Sequence, residues 1–132
     1  MISSEEVTHR AGVDGRRMRD SATIQERYLR DELPVRLGGL AANLARIKSF
    51  SAHPDYCEVV ESLLEESKQF IEWTVPDASL ELQVELLELQ LQLARWQRAW
   101  PIIWADPVRL AAVAEQAGAW SERVLKASGL LR

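Results

Sequence analysis

At 132 residues, 47% apolar and 27% charged, the chain is the size of one domain and long enough to close a hydrophobic core; its single cysteine, Cys57, excludes an internal disulfide framework. The net charge is −4, and the one basic cluster, Arg10, Arg16, Arg17 and Arg19, is cancelled by Glu5, Glu6, Asp14 and Asp20, which argues against a nucleic-acid-binding face. No apolar run reaches the roughly 18 residues that span a bilayer, and Met1–Asp20 lacks the apolar segment of a signal peptide; a soluble cytoplasmic protein with neither membrane nor nucleic-acid partner is expected.

Residues 1–20 show no sustained periodicity and contain Gly12 and Gly15, so they read as a polar N-terminal arm ahead of a helical domain over 21–132. Ser21 is a candidate N-cap for a first helix reaching about Lys48, kinked or split at Pro34. Beyond that proline, Leu33, Leu37, Leu40, Leu44 and Ile47 form an apolar stripe. Gly38, Gly39, Ala42 and Ala45 occupy the reverse side, where small residues permit close approach of another backbone or simply weaken the helix. After a loop over Ser49–His53, Pro54 suits the first turn of a second helix. Its core face is expected to hold Tyr56, Val59, Val60, Leu63, Ser67, Phe70 and Ile71, opposite Glu58, Glu61, Glu65 and Glu72, and it should stop near Trp73 or Thr74 before Pro76. Residues 51–100 carry ten acids and three bases, whereas 21–50 carry three acids and five bases, a pattern read as solvated faces.

The third helix, about residues 77–100 and opened by Pro76, is the most informative segment. At roughly 100° per residue, Leu80, Val84, Leu87, Leu91 and Ala94 fall on one side, and Leu82, Leu86, Leu89, Leu93, Trp96 and Trp100 nearly opposite. Glu81, Glu85 and Glu88 fill one gap between the stripes; Gln83, Gln90 and Gln97 fill the other, as register-setting hydrogen-bonding groups or as a narrow wet strip. The alternating start, Leu80-Leu82-Val84-Leu86, resembles a strand, but the scarcity of β-branched residues and the length favour helix. Pro101 ends or bends it; Asp106-Pro107 caps and opens a fourth helix running to about Ser128, with Gly129 as its C-cap. Its inner face should hold Leu110, Val113, Ala114, Ala117, Trp120, Val124 and Leu125. Short loops make these helices antiparallel neighbours, so the expected fold is an all-α, four-helix, up-down antiparallel bundle with an N-terminal arm.

No catalytic, cofactor-binding or metal-binding signature emerges. Glu6 and His9 have Glu-x-x-His spacing but lie in the polar arm and have no second pair, unlike the two inward-facing pairs of a di-iron bundle. His53 and Cys57 share a helix start without an orienting carboxylate. Gly38-Gly39 follows no strand and is no phosphate loop. Trp96, Trp100 and Trp104 recur every four residues, as core packing or as an aromatic contact surface.

The segment Tyr28–Leu37, with Glu32-Leu33-Pro34-Val35-Arg36-Leu37 at its centre, resembles part of the N-terminal helical-bundle domain of the mitochondrial pyruvate and branched-chain dehydrogenase kinases. The resemblance covers under a tenth of the chain and implies helix-bundle context only, because the ATP-binding domain of those kinases has no counterpart here. Phe70–Thr74 and the Leu/Gln helix after it resemble small helical proteins of cyanobacteria, which implies no activity. The expectation from the residues is therefore a non-enzymatic interaction or scaffold module, homodimerising through Leu82, Leu86, Leu89, Leu93, Trp96 and Trp100 of the third helix. Three alternatives stand beside it: that helix sandwiched within its own chain, a ligand-binding or sensory bundle with a tryptophan-lined pocket, and an enzyme that gathers His53, Cys57 and an inward carboxylate in one pocket.

Overall fold

A computed structural model describes residues 22–129, and among them every regular element is helical. The chain divides between Asp31 and Glu32 into two units, and the arm expected over residues 1–20 lies outside the described residues. The N-terminal unit is helical over 22–30. In the second unit five helices follow: α1 (Leu33–Phe50), α2 (Cys57–Thr74), α3 (Leu80–Arg98), α4 (Trp100–Ala105) and α5 (Pro107–Ser128), with 3-10 turns at Pro54–Tyr56 and Val75–Asp77.

Several boundaries follow from local chemistry. Glu32 is extended (φ −67°, ψ 159°) and Pro34 lies in the first turn of α1, so the proline splits the chain into separate helical segments rather than kinking one. Asp106 caps α5 by accepting from the N–H groups of Val108 and Arg109. Gly129 closes that helix at φ 76°, a left-handed conformation that costs glycine nothing. Pro76 does not open α3: it sits in the preceding 3-10 turn, and Ser79 is the N-cap, its Oγ accepting from Leu82 N–H at 3.2 Å. A proline and a nearby serine both signal a helix start, and here the serine, whose oxygen satisfies an otherwise unpaired amide, sets it.

The core joins Leu37, Leu40, Leu44 and Ile47 of α1 to Val60, Leu64 and Ile71 of α2, to Leu86, Leu89, Leu93 and Trp96 of α3, and to Val113, Ala117 and Val124 of α5. The inner face of α2 is rotated from the expected one: Leu64 and Thr74 are buried, whereas Tyr56 and Val59 are exposed. The 4-3-4-3 ladder Val60-Leu64-Ser67-Ile71-Thr74 keeps a single seam toward α1 and α3, and serine at its centre permits closer approach than a larger residue.

Hydrogen bonds between helices set their directions. Arg36 Nη1 reaches Asp77 Oδ2 at 3.0 Å, and Asn43 Nδ2 reaches Glu66 Oε1 at 3.1 Å, so α1 and α2 are antiparallel. Ser121 Oγ donates to Ala41 O at 2.7 Å, on the long contact of α1 with α5. In the same contact Gly118 admits the Lys48 side chain: a Cβ added there would lie 2.8 Å from Lys48 Cδ. No described helix is long and apolar enough to cross a membrane.

Candidate interaction face

The two stripes of α3 have different fates. Leu86, Leu89, Leu93 and Trp96 are buried within the chain's own core, as is Trp100 at the start of α4, and Leu82 packs against that core. The face expected to meet a second copy is therefore covered from inside, and the six residues Leu82, Leu86, Leu89, Leu93, Trp96 and Trp100 are not an open surface. Both stripes are apolar, and the one carrying the tryptophans faces α2 and the rest of the core. Trp100 is anchored there, its indole N–H donating to Cys57 O at 3.2 Å.

The opposite stripe stays open. Leu80 is 78% exposed, Val84 53%, Leu87 51% and Leu91 54%, with Ala94 half-buried behind them. Four of the eleven large apolar side chains exposed among the described residues thus lie in line on one helix. A scattered exposed leucine is ordinary; these four form one contiguous apolar stripe. The spacing is 4-3-4-3, the seam period of paired helices, placing Leu80 and Leu87 at d-type positions and Val84 and Leu91 at a-type positions.

The flanks of this seam are unlike. On one side the glutamines bind their own chain. Gln83 Nε2 donates to Val75 O at 2.9 Å and to Ala78 O at 3.2 Å, and Gln90 Nε2 to Lys68 O at 3.4 Å. Gln97 accepts from Lys68 Nζ at 2.7 Å and donates to Glu65 Oε2 at 2.6 Å. The heptad of glutamines therefore locks α3 antiparallel against α2. On the other side Glu81, Glu88 and Arg95 are exposed, and among the described residues they hold no ion pair. Glu85, one position further round, is bonded to Arg123 of α5 at 3.1 Å, and that guanidinium lies 4.0 Å from the Trp120 ring centre.

The other candidate residues do not converge. Glu6 and His9 lie outside the described residues, and among those described no group of three or more His, Cys, Asp or Glu could hold a metal ion. His53 stacks against Tyr56, ring centres 5.1 Å apart, and forms no hydrogen bond with Cys57. Trp100 and Trp104 pack at 5.6 Å, but the rings serve the core rather than a cavity. A surface hollow of about 330 Å³ is lined by Lys48, Ser51, Ala52, Pro107, Leu110, Ala111 and Ala114, and a second by Ser79, Glu81, Leu82, Glu85 and Ala127; neither includes a tryptophan.

Neither the models of protein families, nor the curated proteins, nor the solved structures contain a match to this chain, so the short kinase-like segment Glu32–Leu37 carries no family assignment.

Proposed function

We propose that the protein is a non-enzymatic helical interaction module, acting in the cytoplasm, whose four long helices form an up-down bundle and whose α3 pairs with a second copy of the chain. The observation that supports this reading is the unbroken exposed row Leu80, Val84, Leu87 and Leu91, carried by a helix whose other face is already in the core. Covering each of these side chains, half exposed or, for Leu80, 78% exposed, contributes roughly 1–2 kcal/mol. The row is short beside the ~1,000 Å² of a durable interface, so association is concentration-dependent and in the weak class. The cytoplasmic assignment rests on the single thiol and the absence of a disulfide framework.

Size-exclusion chromatography with light scattering, run from micromolar to hundreds of micromolar, tests the reading. The wild-type mass should rise toward that of a dimer, whereas Leu87→Glu should stay monomeric with an unchanged helical circular dichroism spectrum. A wild-type protein that remains monomeric throughout refutes it.

A further inference from the structure

Resting on that self-association reading, we infer that the two copies of α3 pair antiparallel about a two-fold axis near residue 89, with Glu81 of each copy facing Arg95 of the other. A symmetric dimer has two ways to join one helix to itself: a two-fold axis along the helices makes them parallel, and one across them makes them antiparallel. The flanking charges distinguish the two. Glu81, Glu88 and Arg95 share the e-type flank, spaced by seven residues, and none is committed within its own chain among the described residues.

In an antiparallel pair the e-type flank of one helix lies along the e-type flank of the other. The register that stacks Leu87 on Leu91 and Val84 on Ala94 also brings Glu81 opposite Arg95, and the symmetry repeats the pair. Its unfavourable elements are Glu88 facing its own counterpart across the axis and Leu80 falling opposite Arg98, where it meets the aliphatic stem of that side chain. Sliding the helices by one heptad, so that Leu80 meets Leu91 and Val84 meets Leu87, places Glu81 against Glu88 twice and gains no opposite-charge pair. In a parallel pair the e-type flank meets the g-type flank, so these charges meet glutamines already bonded to Val75, Ala78, Lys68 and Glu65. That arrangement also stacks Arg98, the next a-type position, on its own copy. Sliding one heptad the other way pairs Glu88 with Arg95 but stacks Leu87 on Arg98 and leaves Leu80 and Val84 opposite positions beyond the end of α3, so charge and apolar coverage together favour one orientation and one register.

A charge-reversal cycle measured by sedimentation equilibrium tests this. Glu81→Arg and Arg95→Glu should each weaken dimerisation about tenfold, since each turns two attractive contacts repulsive. The double variant Glu81→Arg/Arg95→Glu should recover to within about threefold of wild type, which a local effect on either helix end would not produce. Glu88→Gln should tighten the dimer. If the wild type dimerises and Leu87→Glu abolishes it, but the single reversals do nothing or the double variant shows their summed loss, the antiparallel register is overturned while the self-association reading stands. A wild type that never dimerises, or a dimer indifferent to Leu87→Glu, overturns both.

Discussion

The two faces of α3 are nearly equal in hydrophobicity and opposite in environment. One holds Leu86, Leu89 and Leu93, each at most 1% exposed; the other holds Leu80, Val84, Leu87 and Leu91, each more than half exposed. Helical periodicity reports how many apolar faces a helix has, but which face meets the chain's own core is decided by topology. Here the buried face carries Leu86, Leu89, Leu93 and Trp96, and the glutamines bonded to α2 and to the turn before α3, with the Glu85–Arg123 bridge to α5, match that rotation.

Substitutions at neighbouring positions on the two faces give the widest contrast. Leu89→Ala should lower the stability of the monomer by about 2–5 kcal/mol, because the methyl groups leave a cavity in a packed site. Leu87→Ala, on the exposed face, should cost under about 1 kcal/mol. Urea unfolding at low micromolar concentration measures both, and equal losses would mean that α3 is rotated from the orientation described. Of intermediate size is Gln83→Ala, which removes two hydrogen bonds to the turn carbonyls of Val75 and Ala78 and should cost about 1–2 kcal/mol. The same unfolding curves serve, and a neutral result would show that the column does not hold α3 in place. Ser79→Ala, which deletes the N-cap, should cost about 1 kcal/mol without altering association. The smallest effect is expected at Leu91→Gln: nearly none on monomer unfolding, yet a dimer weakened severalfold in sedimentation.

Several features of this arrangement are legible in the residues alone. Asp106 and Gly129 mark the ends of α5, Pro34 marks a helix start, and the stripe Leu37-Leu40-Leu44-Ile47 is the core face of α1. The pair of stripes on α3 is legible too, because composition and period state it directly. The choice between them is not, since it depends on where α2 and α5 lie, and the tryptophan-bearing stripe was the one covered within the chain. The rotation of α2 is not legible for a related reason: Tyr56 and Val59 extend the apolar arc on paper, but Val59 points about 100° round the helix from the fully buried Val60, and Tyr56 belongs to the 3-10 turn before the helix. The start of α3 is ambiguous in the residues because both Pro76 and Ser79 announce a first turn, and only the hydrogen bond to Leu82 N–H distinguishes them.

The central claim is that one face of α3 belongs to the chain's own core and the other to a second copy. Methyl resonances of the leucines and valines followed by NMR on dilution test it most directly. The account predicts that signals of Leu80, Val84, Leu87 and Leu91 shift together with concentration while those of Leu86, Leu89 and Leu93 stay fixed. Shifts confined to the buried set, or no shift in either, would contradict it.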